Sequence, residues 1–281
     1  MPKQTIHSSV KGVSTLSPDQ YALNPRIPYD SLYVIGDVHG CAVPFIHLLN
    51  DFKPHDTQLL ILNGDLINKG PDTFEVLMHV YRLKTKYPDH VYILLGNHEN
   101  LFLKFLMHPN ETYDLFYKAG GIETLRSFGY DTDMQAPDSI AYDTKTTYHE
   151  FVTLLREASL YFEDHHDDGV NIITHAGVNL KDMNLKQAHP LEHIDYTQPL
   201  DYLTIRDDFH MQPIHDSRVR FFVGHTPTQF LHDKHTSCKN SIFTNDNHTI
   251  VAMDGNIHRD GQLHAVTVKG SHYTTNTFVC L

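Results

Sequence analysis

Five short motifs in this chain pair glycine with oxygen or imidazole donors: Gly36-Asp37-Val38-His39-Gly40, Gly64-Asp65, Gly96-Asn97-His98-Glu99, His175-Ala176-Gly177 and Gly224-His225. Carboxylate, amide and imidazole donors without thiolates suit Mn, Fe or Zn rather than a structural zinc site of the Cys type. Any one Gly-Asp or Gly-His is an ordinary turn. Five in order, each closing an apolar run, are hard to obtain as independent turns and point to one metal-binding rim. Glycine beside the donors lets the backbone turn sharply and approach a bound ion closely.

The donors need rigid elements to hold them. Residues 32–35, 58–62, 91–95, 171–174 and 220–223 are short, mostly aliphatic or aromatic runs closed by Gly, Asn or His, which is the pattern of buried strands. Between them, Phe74, Leu77, Met78 and Tyr81, and again Phe151, Leu154, Leu155 and Ala158, follow i, i+3, i+4, i+7 spacing and predict helices with one face on a sheet. Strand and helix alternation indicates βαβ units, which collect ligand-binding loops at the strand carboxyl ends. Residues 249–253, 263–268 and 277–280 are further strand candidates, separated by Asp254-Gly255 and Asp260-Gly261, and predict an antiparallel hairpin region completing a second sheet. The expected fold is therefore α/β, a two-sheet β-sandwich flanked by helices. Residues 1–30 read as an N-terminal arm and 31–281 as a single domain, with no linker, repeat or low-complexity tract. Segments 108–145 and 181–215 have weaker periodicity and read as lids or substrate-facing insertions.

With 281 residues and 40% hydrophobic content the chain supports a sizeable core. Its 22 basic and 34 acidic residues give a net charge of -12, which argues against a nucleic acid duplex or an anionic membrane as partner. Cys41, Cys238 and Cys280 show no paired spacing, which fits free thiols in a reducing compartment. The N-terminus is too polar for a signal peptide, and no apolar run approaches the ~18 residues of a membrane helix, so the expected location is cytoplasmic. The 23 histidines do not by themselves imply metal, and His79, His90, His232 and His235 read as surface residues. Asp167-Asp168 and Asp207-Asp208 read as solvated turns, and the adjacent rings of His165 and His166 would diverge on a strand.

The motifs GDVHG, GD followed by KGP, GNHE, HAG and GH, in this order over residues 32 to about 268, resemble the signature of the phosphoprotein phosphatase branch of the calcineurin-like metallophosphoesterases. The resemblance implies a four-layer αββα sandwich with Asp37 and His39 on one divalent ion, Asp65 bridging, and Asn97, His175 and His225 on a second. Such ions, ~3.5 to 4 Å apart, clamp a phosphoryl oxygen and turn a bridging water into a nucleophile near neutral pH. Mn is the expected metal, with Fe or Zn as alternatives. The resemblance also implies His98 as the proton donor to the leaving oxygen and Arg206 as a bidentate phosphate grip, and Glu99 itself reads as a residue orienting its neighbours by hydrogen bonding.

Two side chains depart from that pattern. Where many of these phosphatases carry Asp then Arg before Gly, this chain has Asn68-Lys69-Gly70. Asn68 is expected to accept a hydrogen bond from His98 without supplying charge, and Lys69 to hold phosphate as a point charge without a planar fork. GDLINKGPDTFEVL is similar to symmetrical diadenosine tetraphosphatases, whereas Ala119-Gly120-Gly121-Ile122-Glu123-Thr124 and Gly224-His225-Thr226-Pro227-Thr228 are similar to bacterial serine/threonine protein phosphatases. The expectation is a serine/threonine-phosphatase-like phosphomonoesterase acting on a phosphoprotein or small phosphorylated substrate. A dinucleoside polyphosphate or polyphosphate hydrolase is the alternative, and a catalytically weak metal-binding interaction protein the third reading. Phe209, Tyr202 and Tyr113 are either walls of a nucleotide pocket or core.

Overall fold

The computed structural model describes residues 21–180, 183, 201–210, 212–233 and 235–279. Residues 1–20 of the expected arm, most of 181–200 and Cys280 lie outside the described residues. The first sheet holds β1 (Ser31–Ile35), β2 (Gln58–Leu62), β3 (Val91–Ile93), β9 (Gln262–Lys269) and β10 (His272–Val279), in the order β10-β9-β1-β2-β3. The second holds β4 (Tyr161–His166), β5 (Gly169–Thr174), β6 (Val219–Val223), β7 (Phe243–Thr244) and β8 (Ile250–Ala252), in the order β4-β5-β6-β8-β7. β1, β2 and β3 run parallel, as do β5, β6 and β8.

Period-2 alternation divides the core. Leu32, Val34, Leu59 and Ile61 meet Phe162, Ile173, Phe222 and Val251 between the sheets. Tyr33, Ile35, Leu60 and Leu62 face the other way. On that face lie α1 (Ala42–Leu49), α2 (Thr73–Lys86), α3 (Asn97–Met107) and α7 (His149–Arg156). The Tyr33 hydroxyl donates to the Leu48 carbonyl at 2.9 Å and so ties β1 to α1. On the outer face of the second sheet, Tyr202 of α8 (Asp201–Thr204) stacks on Tyr161, and Phe209 of α9 (Asp207–His210) meets Phe221. Burying each such aliphatic or aromatic side chain contributes roughly 1.5–3 kcal/mol. The helix-sheet-sheet-helix order matches the expectation.

Three details differ from the sequence reading. The C-terminal hairpin exists, but β9 pairs antiparallel with β1 and so extends the first sheet; β8 alone of that region joins the parallel strands of the second. β4 was not foreseen, because Glu163, Asp164, His165 and His166 read as polar. It is an edge strand, and its inward Asp164 is satisfied by Tyr29 and Asn171 at 3.0 and 2.9 Å. Residues 21–23 bond to Leu160 and Tyr161, so this part of the expected arm lies along that edge. Finally, the segment 108–145 is largely helical despite its weak periodicity, with α4 (Pro109–Phe116), a π-turn over Tyr117–Gly121, α5 (Ile122–Ser127) and α6 (Pro137–Thr147), and this form leaves its reading as a substrate-facing insertion in place. Its periodicity is broken at Gly120, where φ is 82°. Among the described residues no helix is long and apolar enough to cross a membrane.

Candidate metal centre

Each of the six parallel strands delivers a donor at its carboxyl end: Asp37 and His39 after β1, Asp65 after β2, Asn97 after β3, His175 after β5, His225 after β6 and Asp254 after β8. The turns are tight enough that His39, Asp65, Asn68, Lys69 and His225 all have positive φ, between 46° and 70°. Left-handed backbone at non-glycine residues costs on the order of 1 kcal/mol apiece, and such strain gathers at functional sites. Gly224 has a steric reason to stay glycine, since a Cβ there would overlap the Asp37 carboxylate.

Asp65 is the hub. Its Oδ1 lies 3.4 Å from His175 Nε2 and accepts the His98 N–H at 3.0 Å, while its Oδ2 lies 3.6 Å from His39 Nε2 and 3.8 Å from His98 Nε2. Asn97 Oδ1 sits between His175 Nε2 at 3.1 Å and His225 Nδ1 at 2.8 Å. Asp37 receives the His225 N–H at 3.0 Å. His39 Nδ1 donates to the Ile67 carbonyl at 3.1 Å and His175 Nδ1 to the Asn63 carbonyl at 2.8 Å. Those bonds place the lone pair of each ring on Nε2, facing Asp65, which is the orientation a metal ligand needs.

Electrostatics agree with a cation site. Burial pushes His39 well below the ordinary imidazole range and His225 down to about 2, so both stay neutral donors. Burial would raise the Asp65 carboxyl, yet His175, His98, His39 and Lys69 together hold it far below its ordinary value. Burial, then Asp254 and Asp65, push the Asp37 carboxyl well up. Asp37, Asp65 and Asp254 are three buried carboxylates that repel one another, with Lys69 the cation opposing the repulsion at each, so further positive charge among them is favoured. The residues present therefore fit a pair of divalent ions.

Glu99 braces the hub from below. It is fully buried, and its carboxylate accepts backbone N–H groups from Asp65 (2.8 Å), Leu66 (2.8 Å), Ile67 (3.3 Å) and Gly96 (3.1 Å). Burial and the nearby Asp65 raise its pKa, and the N–H donors oppose them. Glu99→Gln would turn an amide NH2 toward some of these donors, so we expect a loss of roughly 2–4 kcal/mol in unfolding free energy. Denaturant titration checks this, and an unchanged midpoint would remove Glu99 from the bracing role.

His98 Nδ1 lies 2.9 Å from Asn68 Nδ2. The Thr124 hydroxyl accepts the Asn68 backbone N–H at 2.9 Å, lies 3.2 Å from the Thr73 hydroxyl and donates to Asn68 Oδ1 at 2.8 Å. With its oxygen committed to Thr124, the Asn68 amide donates to His98, which corrects the expectation that it accepts. His98 is then a neutral ring carrying its proton on Nε2. Burial pushes its pKa down to about 4, with Lys69 adding to the shift and Asp65 opposing it.

Above the donors lies a cleft of about 920 Å3 lined by Lys69, His98, Lys118, Gly120, Arg206, Phe230 and His258 among others. Lys69 Nζ approaches His39 Nε2 at 2.9 Å, and its backbone N–H is held by the Gly120 carbonyl at 2.9 Å. Arg206 anchors one nitrogen on the His225 carbonyl at 3.1 Å. All ten residues singled out from sequence as ligands or catalytic groups thus gather at one rim. Tyr202 and Phe209 are core rather than cleft walls. Sequence reasoning missed Asp254, which was read only as hairpin punctuation although it too closes an apolar run. It also missed His258, whose ring packs edge-on against His39 with centroids 5.0 Å apart.

The family described as Calcineurin-like phosphoesterase matches residues 31–252. A symmetrical bis(5'-nucleosyl)-tetraphosphatase of Buchnera aphidicola subsp. Acyrthosiphon pisum is 30% identical over 184 residues, 64% of this chain and 57% of that protein. Human serine/threonine-protein phosphatase 5 is 39% identical over 74 residues, 25% of this chain and 14% of that protein. The chain thus spans less than two thirds of either relative. A solved structure described as a candidate diadenosine tetraphosphatase has a TM-score of 0.54 at 17% identity and covers 92% of this chain and 96% of its own. A protein serine/threonine phosphatase from Saccharomyces cerevisiae has a TM-score of 0.55 at 15% identity over 94% of this chain and 84% of its own. At such identities these structures speak for the fold.

Proposed function

The chain belongs to the calcineurin-like phosphoesterase family, and from that premise we propose that it is a divalent-metal phosphoester hydrolase whose metal ligands are Asp37, His39, Asp65, Asn97, His175 and His225. The position of Asp65 carries this reading, because its two oxygens face imidazoles from both sheets. Mn suits the donor set, with Fe or Zn as alternatives. When bound, the ions would polarise the phosphoryl group and supply a nucleophile at neutral pH.

Around that centre the chain's own groups bind and orient. Lys69 and Arg206 bring positive charge to the phosphate, Lys69 as a point charge and Arg206 with the part of its fork not held by His225. If both grip phosphate, Arg206→Ala and Lys69→Ala should each weaken inhibition by inorganic phosphate about tenfold and lower kcat/KM. Unchanged phosphate inhibition in Arg206→Ala would assign that residue to the packing of the His225 loop.

His98 separates two substrate classes. As a neutral ring fixed by Asn68, it offers an N–H hydrogen bond but is a poor proton donor, so an alkoxide leaving group gets little help. This supports a substrate with a good leaving group, such as the phosphate expelled from a dinucleoside polyphosphate or polyphosphate, over a phosphoserine protein. The serine/threonine-phosphatase reading, ranked first on sequence, keeps the support of the segment matching phosphatase 5. A parallel assay with Mn2+ on diadenosine tetraphosphate, inorganic polyphosphate, p-nitrophenyl phosphate and a phosphoserine peptide tests the order. A phosphoserine peptide with the highest kcat/KM would restore the first ranking.

A further inference from the structure

The cleft over the metal centre exceeds what one phosphoryl group needs. Its volume of about 920 Å3 falls in the ~300–1,000 Å3 range of sites that enclose whole small molecules. Beyond Lys69 and Arg206, it is lined by Lys118 from the π-turn and Arg259 from the turn that follows Asp254. Both outer cations are exposed, and neither forms an ion pair with a carboxylate among the described residues. Among the described residues no Asp or Glu lines the cleft, although the chain has 34 acidic residues to 22 basic ones. On a protein of net charge -12, four cations around one opening concentrate the positive field there.

We propose that Lys118 and Arg259 form a second anion subsite, which holds a phosphate further along the substrate than the one being attacked. The inference rests on the phosphohydrolase reading and narrows its substrate to phosphoanhydrides. In the reaction, water oxygen forms the new P–O bond. The bridging P–O bond breaks with its electron pair on the leaving phosphate, and a proton passes to solvent. The leaving phosphate is then the group that Lys118 and Arg259 hold, as a point charge and a fork respectively. An inorganic chain and a nucleoside-capped chain share this chemistry. Phe230, 72% exposed on the same cleft, distinguishes them, because its ring offers a stacking face only to a base.

Binding tests the subsite independently of turnover. In excess Mn2+, the full chain should bind methylenebisphosphonate, which carries two phosphonates and resists hydrolysis, at least about tenfold more tightly than orthophosphate. Lys118→Ala and Arg259→Ala should each remove most of that preference, and Lys118→Arg should retain it. For turnover, the ratio of kcat/KM for tripolyphosphate to that for p-nitrophenyl phosphate should fall about tenfold in each alanine variant. No preference for the bisphosphonate in wild type, or parallel weakening of both anions in the variants, would overturn the subsite. Failure to hydrolyse any phosphate with Mn2+, Fe2+ or Zn2+ would instead defeat the phosphohydrolase reading, while the binding comparison still decides the subsite. Phe230→Ala weakening diadenosine tetraphosphate but not tripolyphosphate would assign a nucleoside-capped chain. Equal binding of both would assign an inorganic one, and either result leaves the second phosphate in place.

Discussion

Asp65→Asn, purified with Mn2+, should lose on the order of 10^3-fold or more in kcat/KM and most of its bound metal, while its far-UV circular dichroism stays that of the wild type. The fold should survive because the amide oxygen can take the place of Oδ1 and keep the His98 N–H bond, and Glu99 still holds the backbone N–H at this position. The charge is what disappears. With its oxygen in the Oδ1 place facing His175, the substituted amide would also turn its NH2 toward the Nε2 lone pair of His39, where the carboxylate presents an oxygen. Elemental analysis gives the sharper reading: His39→Asn and His175→Asn should each lose about one ion per chain, and Asp65→Asn both. Two ions per chain and activity within tenfold of wild type in Asp65→Asn would show that this carboxylate does not bridge.

Why the rim was legible and other features were not has a physical basis. Leu32–Ile35, Leu59–Leu62, Ile172–Ile173 and Phe221–Val223 are buried on both faces, so these runs are apolar and mark their own ends. β4 has one polar edge, and its Asp164 is buried only because Tyr29 and Asn171, distant in sequence, bond to it. The hairpin of β9 and β10 was visible as alternation, but alternation carries no record of which strand it pairs with. Its partner, β1, lies more than 220 residues earlier. Asp254 was hidden by its own glycine, since Asp-Gly signals a turn whether or not the carboxylate faces a site. The direction of the Asn68 to His98 bond is set by Thr124, 56 residues away, and no local pattern encodes it. Lys118 escaped notice for a related reason, because the π-turn around Gly120 breaks the helical period that would have placed it.

Asn68→Asp restores the negative charge that this chain lacks beside His98, and its effect should depend on the leaving group. Thr124 can keep donating to one carboxylate oxygen, which leaves the other facing His98 Nδ1 where the Asn68 NH2 now lies. That oxygen accepts, so Nδ1 must carry a proton and the ring becomes cationic once Nε2 is protonated as well. A carboxylate at this distance raises a neighbouring imidazole pKa by roughly 1–3 units, which would lift His98 from about 4 into the range where the imidazolium is populated during turnover. A protonated His98 matters most for serine alkoxide, less for a leaving phosphate and least for p-nitrophenolate. The variant should therefore gain about tenfold or more on a phosphoserine peptide relative to p-nitrophenyl phosphate, with an alkaline limb that appears only for the peptide and moves upward with the His98 pKa. Adding His98→Asn to Asn68→Asp should abolish both the gain and the limb. Equal changes on every substrate, or a gain that survives the loss of His98, would mean that Asn68 acts through the metal ligands and that His98 is no proton donor even when charged.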